Sequence, residues 1–74
     1  MTDVTEVAVT LNGEPARVAT GSTVADLVRG LLDDDDPKGV AVALNRCVIP
    51  RSEWTSTPIR IGSLVEVVSA AAGG

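Results

Sequence analysis

Between Glu6 and Ala19 the chain alternates in polarity on both sides of an Asn-Gly pair, EVAVTLNGEPARVA. Asn-Gly is the strongest short hairpin signal, because both residues tolerate the positive φ that a two-residue turn between twisted strands demands. Val7, Val9 and Leu11 fall on one face, with Glu6, Ala8 and Thr10 on the other, which is the pattern of a half-buried strand. Ala16 to Ala19 is the returning strand, with Pro15 at its start, where no ladder donor is needed.

After Gly21 the period changes. Val24, Leu27, Val28 and Leu31 stand at i, i+3, i+4 and i+7, one apolar stripe of a helix. Thr23 with Asp26 three residues on forms a capping-box pattern, and Ser22 offers a second cap. The helix is expected to end near Leu32. Four aspartates follow, and acids at a helix C-terminus oppose its dipole; Pro37 and Gly39 then prevent continuation.

The period of two then returns. GVAVAL, Gly39 to Leu44, reads as a continuous small-apolar strand of the kind buried on both faces. Asn45-Arg46 makes a turn, and Cys47-Val48-Ile49 is a short strand closed by Pro50. RSEWTST, Arg51 to Thr57, is polar and irregular around Trp54. Ile59 and Ile61 lead to a Gly62-Ser63 turn, and LVEVV, Leu64 to Val68, is the last strand. A strand hairpin, one crossing helix and further strands is the order of the β-grasp (ubiquitin-like) fold, an α+β architecture. Its mixed sheet, of four to five strands here, wraps one helix. A right-handed crossover lets the first and last strands lie parallel at its centre. One sheet face covers the helix, and the other is left to water or a partner.

At 74 residues the chain is expected to form one domain, residues 1–69, with a flexible C-terminal tail, residues 70–74. A domain this small buries only roughly 60% of its unfolded surface. With one Trp, no Phe and no Tyr, its core must come from Val, Leu, Ile and Ala. The net charge of −4 argues against nucleic acid, whose binders carry a basic stripe, and favours a partner with a basic surface. No apolar run approaches the ~20 residues of a membrane span, and MTDVTEV lacks the charged-then-apolar pattern of a leader, so a cytoplasmic, reduced setting is expected. A single cysteine, Cys47, excludes an internal disulfide and a CxxC site. With no His and no Tyr, the usual general bases are mostly absent, and a catalyst in its own right is not expected.

The stretch VALNRCVIPRSEW carries a more specific signal. It resembles the segment of ThiS-type sulfur carriers of thiamin biosynthesis in which a strand ending in Leu/Ile-Asn is followed by an apolar pair, Pro-Arg and an acid-aromatic pair. Here these are Ala43-Leu44-Asn45, Val48-Ile49, Pro50-Arg51 and Glu53-Trp54, and the chain then reaches an apolar strand and a terminal Gly73-Gly74. The likeness covers the whole chain by element order and residues 41–74 position by position. Departures are Ser63 where the family usually has Asp, Ala70 to Ala72 where it has bulkier residues, and the DDDDPKG loop.

The resemblance implies that the working group is the carboxylate of Gly74, with Gly73 as its required neighbour. A ThiF-type adenylating enzyme would join it to AMP, using ATP and Mg. A sulfur donor protein's persulfide would displace AMP, and the resulting thiocarboxylate would pass sulfur to a ThiG-type thiazole synthase. The carrier itself would bind no cofactor and no metal, and would be a monomer alone. Three related or distinct roles share much of this pattern: a carrier for molybdopterin or cysteine synthesis, an ubiquitin-like modifier, and an interaction module with an inert tail. The tail suits a narrow channel. Glycine permits close backbone approach, Ala70, Ala71 and Ala72 lose no rotamer entropy, and five extended residues reach about 17 Å.

On the last strand, alternation sends Val65 and Val67 toward the helix. Leu64, Glu66 and Val68 face outward, where an apolar patch beside the tail would be a docking surface. Cys47, with no second Cys and no His, is expected to be a small buried apolar residue. Asp33 to Asp36 lack the alternating spacing of a calcium loop and read as a solvated loop, and Trp54 as a lid over one end of the core.

Overall fold

The computed structural model describes residues 5–33 and 38–69. Strands β1 (Glu6–Leu11) and β2 (Glu14–Ala19) form the opening hairpin, and helix α1 (Val24–Leu32) follows. Strands β3 (Val40–Leu44), β4 (Cys47–Val48) and β5 (Leu64–Ser69) complete a five-stranded sheet in the order β2-β1-β5-β3-β4. β1 and β5 are parallel neighbours at its centre and the other pairings are antiparallel. This is the β-grasp arrangement expected from the element order.

The hairpin closes on Asn12 and Gly13, with φ of 50° and 83°. Positive φ at both central residues is what a type I′ turn requires. β2 begins at Glu14, before the expected start at Pro15-Ala16, so Pro15 pairs opposite Thr10 inside the strand. No donor is lost there, because the flanking pairs carry the ladder bonds of a two-residue hairpin.

Helix α1 begins at the expected box. The Thr23 hydroxyl accepts from the Asp26 N–H at 3.2 Å, and Asp26 Oδ2 accepts from the Thr23 N–H at 3.0 Å. It ends on Asp33, whose φ of 56° is left-handed. Val24, Leu27 and Val28 pack with Val9, Val42, Val65, Trp54 and Ile59 in one core, while Leu31, last of the stripe, stays exposed.

Three expectations change. β3 is not buried on both faces: Val42 is buried, but Ala41 is exposed and Ala43 only half-buried. The described residues supply one α-helix, and on the face away from it β3 itself presents only the alanine methyls of Ala41 and Ala43. Cys47 is exposed, because none of the described residues covers the two-residue strand at the sheet edge. Arg51–Ser56 is a 3-10 helix rather than an irregular stretch, and it carries Trp54 into the core at 4% exposure. The Trp54 indole Nε1 donates to the Ile49 carbonyl at 3.0 Å, so the buried ring keeps a partner for its polar end. The Arg51 guanidinium lies over the Trp54 ring, 4.7 Å from its centre.

Candidate functional site

Everything the sequence assigns to chemistry lies at or beyond the end of β5. Gly73 and Gly74, and Ala70, Ala71 and Ala72 before them, lie outside the described residues. The structure does describe the strand that leads to them.

β5 sits between β1 and β3, and its two flanks are held differently. On the β3 side five residue pairs run from Leu44 opposite Val65 to Val40 opposite Ser69. On the β1 side the register covers only Thr10 with Leu64 and Leu11 with Val65. Thr10 N–H donates to the Ser63 carbonyl and Asn12 N–H to the Val65 carbonyl, both at 2.9 Å. The next rung comes from a side chain: Val67 N–H donates to Asn12 Oδ1 at 2.8 Å. A second asparagine does the same at the other end, where Asn45 Oδ1 accepts from Leu64 N–H at 2.9 Å and Asn45 N–H donates to the Leu64 carbonyl at 2.7 Å. Both are at left-handed φ, 50° and 52°, which asparagine tolerates better than most residues. These two rungs are not legible as such; Asn12 reads only as a turn residue, and Asn45 as a turn residue and part of a motif.

Along β5 the side chains divide as alternation predicts. Val65 is buried and Val67 packs against the core, whereas Glu66 and Val68 are exposed, Val68 at 62%. Leu64 is half-buried at the far end of the strand from the tail. Glu66 and Val68 line a shallow groove of about 520 Å³ on the outer sheet face, together with Ala41, Ala43, Val48 and the hairpin tip Asn12-Gly13. Leu64 is not part of this groove. Val48, opposite Ala43 in register, is 73% exposed, so its methyls extend the apolar strip to the β4 edge. The alternation of GVAVAL, small residues on one face and larger ones on the other, puts Ala41 and Ala43 on one face of β3, and the sheet order brings that face beside Glu66 and Val68.

The turn before β5 is built from residues whose identity matters. Ser63 is buried, and its Oγ accepts from the Arg60 N–H at 3.1 Å. A side-chain oxygen thus occupies the place where the ThiS-type pattern has an acid. Gly62, at φ 81°, donates its N–H to the Ala8 carbonyl at 2.8 Å. Both bonds fix the point at which the chain enters the sheet.

Among the described residues no group of three or more His, Cys, Asp or Glu side chains could hold a metal ion. Of the acidic run only Asp33 is described, as the left-handed residue that ends α1. No described helix is long and apolar enough to cross a membrane.

Comparison with known proteins matches residues 9–74 to the model of the ThiS family. The chain is 30% identical over 63 residues to the sulfur carrier protein ThiS of Escherichia coli K12, an alignment spanning 85% of this chain and 92% of that one. The crystal structure of a thiamine biosynthesis protein, ThiS, from Geobacter metallireducens superposes with a TM-score of 0.74 at 30% identity. That superposition covers 92% of this chain and all of the other.

Proposed function

The chain belongs to the ThiS family, and we propose that it is a sulfur carrier for thiamin synthesis whose C-terminal Gly74 bears the sulfur. It is a carrier rather than a catalyst: the reacting atom is its own terminal carboxyl carbon, and the catalytic groups belong to the enzymes that it visits. The observation that carries this reading is the position of the family match, which runs through β5 to Gly74 itself.

A free carboxylate is a poor acyl donor. Attack of a Gly74 oxygen on the α-phosphate of ATP, with loss of pyrophosphate, gives an acyl-adenylate whose leaving group is AMP. This step uses the ATP and Mg of a ThiF-type enzyme. The outer sulfur of a donor protein's persulfide then displaces AMP to give an acyl disulfide. A further thiol cleaves its S–S bond and departs with the donor's sulfur as a disulfide, and the thiocarboxylate so released supplies sulfur to a ThiG-type thiazole synthase. Gly73 and the slim Ala70, Ala71 and Ala72 suit entry to a narrow active site, with a reach of about 17 Å for five residues if fully extended.

The groove formed by Glu66 and Val68 with Ala41, Ala43 and Val48 supports a docking role for the outer face of the sheet. It is apolar, exposed and contiguous with the strand that ends at the tail. Leu64, half-buried at the other end of β5, is less exposed to a partner than these residues.

Intact mass tests the reading. Incubation with an activating enzyme, ATP and a sulfur donor should add the difference between one sulfur and one oxygen, localised to Gly74. A chain extended by one residue beyond Gly74 should not react. An unchanged mass alongside a carrier that the same enzyme does convert, or reaction of the extended chain, would overturn it.

A further inference from the structure

The last strand is held asymmetrically where it approaches the tail. β1 ends at Leu11, but β5 runs on from Glu66 to Ser69 with β3 as its one registered neighbour. Past Leu11 the backbone turns left-handed at Asn12 and leaves the sheet. An ordinary parallel ladder would present a backbone carbonyl to the Val67 N–H at this level. Instead Asn12 presents Oδ1, at 2.8 Å, while its own N–H holds the Val65 carbonyl at 2.9 Å. The side chain therefore extends the ladder by one rung beyond the end of the strand. Among the described residues this is the last hydrogen bond between the hairpin and β5, three positions before residue 70.

The turn alone does not require that oxygen. Glycine would satisfy a φ of 50° at least as well as asparagine. What asparagine adds is the rung on Val67.

We propose that Asn12 is a positioning residue for the reacting terminus: its Oδ1 pins distal β5 to the hairpin and so fixes the direction in which Val67 to Ser69 run. The proposal rests on the reading of Gly74 as the reacting group. Without the rung, distal β5 is held from the β3 side alone and can swing about it. A swing of about 10° displaces a point about 17 Å further on, the reach of five fully extended residues, by about 3 Å. Misplacement on that scale is costly to a displacement reaction, which needs its atoms near 3 Å and in line. Asn12 also lines the outer-face groove, but its apolar floor of Ala41 and Ala43 does not depend on the Asn12 oxygen, so docking changes less than positioning.

Two variants separate positioning from folding. Asn12→Gly keeps the left-handed turn and removes the oxygen, whereas Asn12→Asp keeps an acceptor oxygen and a residue that tolerates the turn. Each is compared with the unmodified chain in ATP–pyrophosphate exchange on the activating enzyme, with amide hydrogen exchange at Val67 followed in parallel. Asn12→Gly should exchange faster at Val67 and lower kcat about tenfold, with KM for the carrier within about twofold, and Asn12→Asp should restore most of kcat. Wild-type kcat in a folded Asn12→Gly chain would overturn the proposal. So would a loss carried by KM, which would make Asn12 a docking contact, or a loss that merely follows the folded fraction. Failure of the unmodified chain to be adenylated would overturn the reading of Gly74 itself, which the variants do not address.

Discussion

Asn12-Gly13 and Asn45-Arg46 are two-residue hairpin turns with positive φ at both positions, and each sets an asparagine oxygen against β5. Their return strands differ. The first turn returns through six paired residues, Glu14 to Ala19. The second returns through two, Cys47 and Val48, after which the Ile49 N–H reaches the Val42 carbonyl at 2.8 Å and Trp54 bonds the Ile49 carbonyl. Their second positions differ as well: Gly13 sits at 83° without strain, whereas Arg46 carries a Cβ at 72°. A turn type thus sets the hand of a hairpin but not its hold. A long return holds itself by its ladder, and a short return depends on a side chain buried elsewhere.

The sharpest break of this comparison removes Trp54. Trp54→Ala should lower unfolding free energy by about 3–5 kcal/mol, since it empties a core site and frees the chain after the second turn. Urea denaturation reads it, and a loss below about 1 kcal/mol would mean that the short return holds itself. Trp54→Phe keeps the apolar bulk and leaves the Ile49 carbonyl without its donor, for a smaller loss of about 1 kcal/mol. Next comes the Asn45 rung. Asn45→Gly, which spares the backbone, should lose about 1 kcal/mol, and Asn45→Ala about 2 kcal/mol, because alanine also meets the left-handed φ. Equal losses would show that the oxygen matters and the backbone does not.

The two turns also mark the limit of what the sequence discloses. The hairpin at Asn12-Gly13, the helix at Val24 with its Thr23–Asp26 box and the inward and outward residues of β5 follow from local periodicity and turn chemistry, and the structure places them as expected. The Asn12 and Asn45 rungs join residues 55 and 19 positions apart, so no local pattern encodes them. Cys47 misleads for a related reason: its burial depends on whether anything covers the β4 edge, a property of the whole sheet. Ala41 and Ala43 look like core in a continuous apolar run, yet with the helix on one face their alternation exposes them. In the candidate site, Glu66 and Val68 were legible from alternation alone. Ala41, Ala43 and Val48 required the sheet order, which brings them beside β5.

Smaller changes test the second positions of the turns. A Cβ built at Gly13 meets no atom within 4 Å, so Gly13→Ala isolates backbone strain and should lose about 1 kcal/mol. Arg46→Gly runs the other way. It relieves the strain at 72°, partly offset by the greater freedom of glycine in the unfolded chain, and should gain about 0.5 kcal/mol. For a domain of this size that gain raises Tm by about 2–4 °C. A lower Tm would mean that Arg46 makes a contact worth more than its strain.

The smallest effect is electrostatic, and it should leave the turns alone. Asp26 has its carboxyl held below the ordinary value of 3.8, first by the Thr23 backbone N–H, then by the Thr23 hydroxyl, with Arg29 adding a contact at 2.8 Å. A carboxyl with a folded value below its unfolded one stabilises the fold above the unfolded value, and that contribution disappears as pH falls through the folded one. Stability should therefore decline below about pH 4, and Asp26→Asn should flatten that part of the acid limb while lowering stability slightly at neutral pH. Amide exchange places the effect. As pH falls, protection should weaken first in the opening turn of α1 and persist at Val67, because both oxygens bonded to β5 belong to uncharged asparagines. Simultaneous loss at α1 and β5 would mean that helix and sheet open as one unit. The two hairpins would then share a single stability, despite their different means of closure.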